Sequence, residues 1–440
     1  MNTLLQGAKV YIDGRFVTTD VLVSDGNIYF SSKESDFSEL SLNAEVFDFT
    51  NKYIFPGFAD MHVHFREPGF LYKEDIKSGS EAAAAGGYTT VCTMPNLLPV
   101  PDCRLTLNEE LKCITDKAVI NVIPFGSVTK GESGQELSAF AEMEECIGFS
   151  DDGVGVVNDE LMRQAMTYAA QHNKIISAHC EYKSLVGGKN IHDGVAAERL
   201  GFKGISSESE WKMIERDLRL ARETGCKYHV CHISTKESVE LIRKAKAEGV
   251  DVTCETGPHY LLLNDEAILD ETNGKDILSG IPLEIDRKLV SHGIGRLKMN
   301  PPIRSESDRR ALIEGLLDGT VDMIATDHAP HSDEEKMKGL EGPMGVVGLE
   351  CAFPVLYTYL VKTGLITLER LIELMNVNPL KRFEINNNNG LTVYDLDAEY
   401  YINPDEFKSK GRYTPFEGVK VNGKCLMTIC DGRIVYNHEH

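Results

Sequence analysis

The chain has 440 residues, of which 42% are hydrophobic, a size that suits a barrel with a small added domain. Its 46 basic and 68 acidic residues give a formal net charge of -22, which argues against nucleic acid or an anionic membrane as partner. Eleven cysteines without a Cys-x-x-Cys motif indicate reduced thiols, so we expect a cytoplasmic protein with no signal peptide and no membrane span.

Both ends of the chain predict short strands joined by tight turns. The strands at the start cover 9–12, 20–23 and 27–30, and those at the end cover 425–430 and 433–436. Asp-Gly pairs at 13–14, 25–26 and 431–432 are strong hairpin signals. We therefore expect one small β-sandwich domain built from both termini, with residues 1–53 and 386–440. The alternative is two unrelated sheet edges.

Strand-like and helix-like segments alternate through the middle of the chain. The predicted strands cover 54–64, 88–93, 118–123, 146–149, 174–178, 228–231, 250–254 and 322–326. The predicted helices between them cover 79–86, 105–113, 135–145, 159–172, 208–224, 236–248 and 307–317. Eight strands separated by helices indicate parallel βα units, so the fold class is α/β, with a (β/α)8 TIM-like barrel over residues 54–385. Residues 279–296 remain unassigned, and 386–389 predict a polar turn.

Residues of the types that bind metal ions lie at the ends of the predicted strands. His62 and His64 are two residues apart at the end of the first strand, so their imidazoles point to one face. Later strands end at Asp151, Asp152, His179, His232 and Asp327. Singly, such a histidine is more often a packing residue and such an aspartate a helix N-cap. Together at one end of a barrel they predict a site for zinc or a similar divalent ion.

Several longer motifs resemble the amidohydrolase superfamily and, within it, the dihydroorotase family. They are FPGFADMHVHFREPG (55–69), KEDI (73–76), AGGYTT (85–90), TMPN (93–96), FSDDG (149–153), AHCE (178–181), CHIST (231–235), KMNPP (298–302) and IATDHAPH (324–331). The resemblance covers nearly the whole chain. It implies reversible cyclisation of N-carbamoyl-L-aspartate to L-dihydroorotate in de novo pyrimidine biosynthesis, a small-molecule substrate and a homodimer.

The resemblance also implies a set of metal ligands. His62, His64 and Asp327 would hold one ion, and His179 and His232 a second, so one or two zinc ions are expected. Many relatives bridge the ions with a carboxylated lysine on the fourth strand, but no lysine occurs between residues 131 and 173. The FSDDG motif resembles the class that uses an aspartate there. We assign the bridge to Asp152, with Asp151 as the alternative.

Substrate contacts are implied in the same way. Asp327 would carry the proton from the attacking water to the leaving nitrogen. The candidate substrate ligands are Arg66 and Asn96 for the carboxylate, with Asn300 and His331. His328 would orient its neighbours, and the role of His259 is open. Residues 333–348 resemble a mobile segment over the site, although an inert charged loop has the same composition.

Two alternatives remain. A sister cyclic amidohydrolase, such as an allantoinase or a hydantoinase, shares the histidines but usually carries the bridging lysine. It also has no need of a cation like Arg66 when its ring carries no carboxylate. A catalytically inactive homologue acting as a scaffold typically loses metal ligands, whereas all of them are present here.

Overall fold

The computed structural model describes residues 2–31, 37, 43–188, 190–273, 283–386 and 389–438. Strands in these ranges follow in chain order as β1 (Thr3–Ile12), β2 (Arg15–Ser24), β3 (Asn27–Phe30), β4 (Glu45–Asp48), β5 (Tyr53–Pro56), β6 (Phe58–Val63), β7 (Tyr88–Thr93), β8 (Asn121–Pro124), β9 (Gly126–Ser127), β10 (Gly148–Ser150), β11 (Ile175–Ala178), β12 (Lys227–Val230), β13 (Val252–Thr256), β14 (Met323–Ile324), β15 (Gly390–Tyr401), β16 (Lys420–Cys430) and β17 (Arg433–Asn437).

Helices lie mainly between the central strands. They are α1 (Ile76–Ala85), α2 (Arg104–Lys117), α3 (Asp159–Gln171), α4 (Lys183–Val186), α5 (Val195–Leu200), α6 (Glu208–Thr224), α7 (Lys236–Ala247), α8 (Pro258–Leu262), α9 (Glu266–Asn273), α10 (Glu306–Asp318), α11 (Asp333–Lys336), α12 (Ala352–Leu356), α13 (Leu368–Ile372) and α14 (Asn378–Arg382). Turns of π-helix continue α12 and α13. Among the described helices, none has the length and apolar character to cross a bilayer.

Strands from both ends of the chain form one sheet. Its order is β17-β16-β15-β5-β1-β2-β3, with β4 paired to β1. Each Asp-Gly pair at its hairpins has two positive φ angles, 49° and 79° at Asp13 and Gly14 for example. That geometry is the type I′ turn that matches the twist of paired strands. The predicted hairpins and a β domain built from both termini are confirmed, because β15 pairs directly with β5.

The central strands form the predicted barrel. β6, β7 and β8 pair in parallel, and β9 to β14 form a second parallel run. Buried Phe125 interrupts the third barrel strand between β8 and β9. A parallel bridge between Val63 and His328 joins the first strand to the chain after the eighth. The C-terminal ends of the barrel strands therefore meet at one rim, as in other (β/α)8 barrels.

Two predicted elements differ from the structure. The strand expected over 54–64 is divided at Gly57, so that β5 belongs to the terminal sheet and β6 to the barrel. A Cβ on Gly57 would lie 2.2 Å from Oγ1 of Thr89, so the close chain crossing requires glycine. The domain limit near residue 53 stays a prediction.

The helix predicted over 135–145 is wrong. The segment holds one short 3-10 turn, Phe140–Glu142, and a bridge between Thr129 and Leu137. The buried Phe140 ring lies 4.3 Å from the ring of Phe149 and 5.0 Å from that of Tyr168. Tertiary packing of this ring overrides the local helical propensity. The unassigned segment 279–296 and the polar turn at 386–389 lie partly outside the described residues.

Candidate metal centre and substrate cavity

His62 and His64 stand side by side at the end of β6, with their ring centroids 5.3 Å apart. Nδ1 of His62 lies 2.8 Å from Oε1 of Glu255, and Nδ1 of His64 lies 2.9 Å from Oδ1 of Asn96. Because both acceptors are oxygens, each Nδ1 donates its proton, and each Nε2 faces the cluster and becomes a metal ligand when it is unprotonated. The two Nε2 atoms therefore present metal-ligand nitrogens toward the same space.

Asp152 lies in that space and Asp151 does not. Oδ1 of Asp152 is 3.3 Å from Nε2 of His62, and Oδ2 is 3.5 Å from Nε2 of His64. Asp151 instead turns toward the loop after β9, where its Oδ1 accepts the backbone N–H groups of Val128 and Thr129 at 2.7 and 2.9 Å. Only the second aspartate of the pair faces the histidines.

His179 and His232 approach Asp152 from the other side. Nδ1 of His179 and Nε2 of His232 are 3.0 Å apart, and each lies 3.8 Å from Oδ1 of Asp152. Ligand atoms around a tetrahedral zinc, with bonds of about 2.0–2.1 Å, are separated by about 3.4 Å. The observed separations lie close to this value, so the three residues have the spacing of ligands to one ion.

Asp327 completes the cluster from the end of the eighth strand. Its Oδ1 lies 3.0 Å from Nε2 of His64 and 3.6 Å from Nε2 of His62. The backbone of Asp327 has a φ of 47°, and those of His232 and Arg66 have φ values of 31° and 61°. Left-handed backbone at non-glycine residues is costly and is concentrated at functional sites.

The donor set fits a divalent ion. Nε2 of His62, Oδ1 of Asp152 and Nδ1 of His232 are buried and have no hydrogen-bond partner among the described residues. Buried polar atoms without partners are rare in native proteins, and each needs a physical reason. The atoms of His62, His64 and Asp152 lie within 4.8 Å of one another, as do those of Asp152, His179 and His232. Nitrogen and carboxylate ligands in two such groups suit zinc and similar ions.

Charge within the cluster keeps the aspartates ionised. Burial alone raises the pKa of Asp152, but the positive charge that His62 carries when its Nε2 is protonated, together with the nearby ring of His232, holds that pKa well below its usual range. For Asp327, burial is likewise outweighed by the hydrogen bond from His64 and the charge on His62, so its pKa is also lowered. Both side chains are therefore carboxylates, which is the form that binds cations.

Glu255, at the end of β13, is a functional residue that the sequence patterns missed. It is fully buried, and its Oε2 lies 3.1 Å from Nε2 of His229 while Oε1 accepts from His62. Burial raises the pKa of Glu255, but hydrogen bonds from His229 and His62 lower it well below the usual range. A carboxylate that accepts the second N–H of a ligand histidine fixes the tautomer and orientation of its ring.

Asn96 contacts two members of the cluster. Besides accepting from His64, its amide donates from Nδ2 to Oδ2 of Asp152 at 3.2 Å. The side chain also lines the cavity described next. Its position therefore allows contact with a substrate and, through the same amide, orientation of two metal-ligand candidates.

A cavity of about 290 Å³ opens beside the cluster. Its lining includes Arg66, Asn96, Asn300 and His331 together with Asp327. Nε of Arg66 donates to the carbonyl of Pro330 at 3.3 Å. Among the described residues, no carboxylate forms an ion pair with the Arg66 guanidinium, so its remaining N–H groups can bind an anionic ligand.

Asn300 and His331 lie on two other sides of the cavity. Nδ2 of Asn300 is 3.4 Å from Nε2 of His179. His331 donates from Nε2 to the carbonyl of Met344 at 2.7 Å, and its Nδ1 lies 3.1 Å from Nζ of Lys73. Burial and the charges of Arg66, Lys73 and Lys336 lower the pKa of His331 to about 2, so this imidazole is neutral.

Two further histidines of the motifs point elsewhere. His328 accepts the Gly348 N–H at its Nδ1, at 3.2 Å, and its Nε2 faces Glu74 at 3.5 Å. Its own carbonyl accepts the His64 N–H at 2.9 Å, so it ties the first and last barrel strands together. His259 is buried, and burial lowers its pKa to about 4, but it does not line the cavity.

Comparison with known proteins gives the family. The model of a family described as dihydro-orotase-like matches residues 51–238. A dihydroorotase from Fusobacterium nucleatum is 44% identical over 98% of this chain and 98% of its own length. One from Bacillus cereus is 44% identical over 100% of this chain and 99% of its own length.

Solved structures agree with the fold. The L-hydantoinase (dihydropyrimidinase) of Arthrobacter aurescens has a TM-score of 0.82 at 26% identity, covering 99% of this chain and 96% of that one. The dihydropyrimidinase of Brevibacillus agri has a TM-score of 0.82 at 20% identity, covering 100% and 96%. With the full-length relatives at 44% identity and a buried cluster of histidines and aspartates at the barrel rim, the chain belongs to the dihydroorotase family.

Proposed function

We propose that this enzyme interconverts L-dihydroorotate and N-carbamoyl-L-aspartate by zinc-dependent opening and closing of the cyclic amide, in pyrimidine biosynthesis. The single observation that carries the proposal is Arg66, whose guanidinium lies without a protein carboxylate in the cavity beside the cluster of metal-ligand candidates. Both proposed substrates carry a carboxylate that the reaction leaves unchanged, and a guanidinium binds a carboxylate through two parallel hydrogen bonds.

In the proposed metal centre, His62, His64 and Asp327 would hold one ion, His179 and His232 would hold another, and Asp152 would contribute its carboxylate to both. When bound, zinc supplies Lewis-acid activation of water and of the amide carbonyl. The support for Asp152 as bridge is the contact of its two oxygens with histidines on both sides. Glu255 and Asn96 keep the ligand histidines in the tautomer that leaves Nε2 free.

Asp327 is proposed to move the proton. In hydrolysis, water adds to the ring amide carbon, its proton passes to the Asp327 carboxylate, and the C–N bond breaks as Asp327 returns the proton to the leaving nitrogen. In cyclisation the same steps run backwards. A carboxylate within hydrogen-bond reach of both atoms contributes typically about a hundred- to ten-thousandfold.

Substrate recognition is proposed to use the remaining cavity residues. Arg66 and Asn96 bind the carboxylate, and Asn300 and the neutral His331 bind the ring amides. Both ring nitrogens of His331 have protein partners, so His331 would exchange its contact with Met344 or Lys73 for one with the ring. The barrel, residues 54–385, would then carry all of the chemistry. The terminal β domain, residues 1–53 and 386–440, would carry none.

The second candidate is hydantoinase activity, because one of the similar solved structures is the L-hydantoinase of Arthrobacter aurescens. Arg66 disfavours it, because a partly buried guanidinium facing a ring without a carboxylate would remain unpaired. The aspartate at position 152 also departs from the bridging lysine that the sequence resemblance leads us to expect in a hydantoinase.

We further propose zinc as the metal, a homodimer as the assembly and the cytoplasm as the compartment. All eleven cysteines are free, which supports a reducing environment. Metal analysis by mass spectrometry and light scattering of the purified protein test the first two.

The experiment for the function is a substrate comparison on one zinc-loaded preparation. The loss of absorbance of each ring measures its opening. We expect ring opening of L-dihydroorotate and no comparable turnover of hydantoin or allantoin. Preferential turnover of hydantoin would refute the assignment. A fully metal-loaded protein with no turnover of any of the three would support the inactive-scaffold alternative.

A further inference from the structure

A segment after the eighth strand forms one wall of the cavity. We define residues 333–348 as the wall segment. It begins with α11, has a 3-10 turn at Gly339–Glu341, and contributes Met344 and Gly345 to the cavity lining. The proposed reaction uses none of its side chains, yet its backbone faces the substrate space.

Lys336 of this segment is turned inward. Its side chain is 1% exposed, whereas Asp333, Glu334 and Lys338 on the same segment are exposed to solvent. Lysine is almost never fully buried without a reason, because burying an ammonium group is costly. A charge on this segment could have stayed in water, so its inward position needs a physical explanation.

The Lys336 ammonium is bound entirely by backbone carbonyls. Nζ donates to Gly345 O at 2.7 Å, Lys298 O at 3.1 Å and Pro343 O at 3.2 Å. An ammonium has three N–H donors, so all of them are used. The acceptors come from two chain segments, the wall segment itself and the residues just before Asn300.

These two segments are also joined directly. The Gly345 N–H donates to the same Lys298 carbonyl at 3.1 Å. Lys298 stands two residues before Asn300, which also lines the cavity. The Lys298 ammonium also donates to the carbonyl of Leu340 in the wall segment, so Lys336 is one of several groups that hold the wall segment to the chain before Asn300.

The same contacts reach His331. A Cβ on Gly345 would lie 2.6 Å from the Ala329 carbonyl and 3.0 Å from Nε2 of His331, so the backbone of Gly345 presses against both. His331 in turn donates to the carbonyl of Met344, the residue before Gly345. Any shift of the 343–345 backbone therefore moves the hydrogen-bond partner of a proposed substrate ligand.

We propose that Lys336 is a positioning residue for the substrate. Through three carbonyls it holds the wall segment against the Asn300 segment and so sets the width of the cavity in which the ring of dihydroorotate binds. The inference rests on the proposed function for the identity of the substrate. Lys336 does not touch substrate or metal, so its loss acts on substrate binding and leaves the metal centre intact.

The test compares Lys336→Met with Lys338→Met. Methionine keeps a long apolar stem but removes the donors, and Lys338 is the matched exposed lysine on the same segment. We expect Lys336→Met to raise KM for L-dihydroorotate by about tenfold with a much smaller change in kcat. Zinc content should stay equal to the wild type, and amide hydrogen exchange over 343–346 should become faster. Lys338→Met should match the wild type throughout.

A second variant guards against loss of folding. Lys336→Gln keeps two N–H donors on a shorter side chain, so it should raise KM by an intermediate amount. Faster exchange over 343–346 in either folded variant with an unchanged KM would mean a purely structural lysine and would overturn the proposal. Loss of zinc in parallel with the KM change would overturn it as well.

Failure of the proposed function can be distinguished from failure of the positioning role of Lys336. It would appear as absence of dihydroorotate turnover in the wild-type protein. In that case the positioning role for dihydroorotate falls with the function, and the exchange measurement tests only the contact itself: faster exchange confined to 343–346 in Lys336→Met would support the contact with the wall segment, and unchanged exchange would overturn it.

Discussion

Replacing Glu255 with glutamine should weaken metal binding while leaving every proposed ligand in place. The carboxylate accepts from Nδ1 of His62 at 2.8 Å and from Nε2 of His229 at 3.1 Å. An amide has only one oxygen, so one of the two imidazoles must face its NH2 group and lose its acceptor. If that imidazole is His62, the proton is free to move to Nε2, which is then no longer a ligand.

The expected magnitude follows from these contacts. Loss of a partner behind a ligand histidine typically costs about 10- to 100-fold in metal affinity, or about 1.4–2.7 kcal/mol. The lower value applies if the glutamine oxygen stays on His62, and the upper value if it turns to His229. Competition with a fluorescent zinc chelator measures the affinity directly and does not depend on turnover.

The matched control is Glu110→Gln. Glu110 is also a fully buried glutamate, but it lies on α2, where it accepts from Oγ1 of Thr93 at 2.7 Å and contacts no proposed ligand. It should bind zinc like the wild type. Wild-type zinc affinity in a folded Glu255→Gln variant would refute the reasoning, because it would mean that His62 needs no carboxylate behind it.

Four other changes give distinct outcomes. Arg66→Ala should raise KM for dihydroorotate by about 10- to 100-fold with zinc content unchanged, because a charged hydrogen-bond pair to the substrate carboxylate is lost; parallel loss of zinc would contradict the role. Asp327→Asn should lower kcat by about a hundred- to ten-thousandfold in steady-state assays, and near-normal turnover would exclude it as proton carrier. Asn96→Ala should weaken zinc binding by about tenfold as well as raise KM, since its amide contacts His64 and Asp152; a KM effect alone would restrict Asn96 to substrate binding. Glu110→Gln should remove a pH dependence of stability: burial raises the pKa of Glu110 from 4.5 to about 8, so the native state keeps a proton that the unfolded chain releases, and wild-type stability falls as pH rises through that window. Urea unfolding at several pH values should show a flatter profile for Glu110→Gln, and identical slopes would contradict the assignment.

Much of the fold can be predicted from local signals. The three Asp-Gly pairs predict hairpins because few other dipeptides accept two positive φ angles. His62 and His64 can be predicted as a pair because strand periodicity places them on one face. Their convergence with His179 and His232 follows from the barrel, whose strands all end at one rim.

Other features depend on tertiary contacts that no local pattern reports. Local patterning does not distinguish Asp151 from Asp152, and only the resemblance of the FSDDG motif favours Asp152; in the structure the backbone N–H groups of Val128 and Thr129 hold Asp151 away from the histidines. The failed helix over 135–145 has the composition of a helix, but the fold buries Phe140 against other aromatic rings.

Glu255 and Lys336 were missed for a related reason. Each is a charged residue whose neighbours in the sequence give no sign of burial. Glu255 lies near the end of a short strand, and Lys336 follows three acidic residues on a surface helix. His62, the partner of Glu255, is 193 positions away in the chain, and Lys298, a partner of Lys336, is 38 positions away. Only the assembled barrel brings these groups together.

The most direct measurement is dihydroorotate turnover against zinc content on one sample. The protein is stripped with a chelator, and zinc is returned stepwise while both quantities are followed. If the histidines and aspartates of the five chain segments bind the zinc that this reaction needs, turnover should vanish when the metal is removed. It should return in proportion to the zinc bound. Full turnover by protein that holds no divalent metal would contradict it.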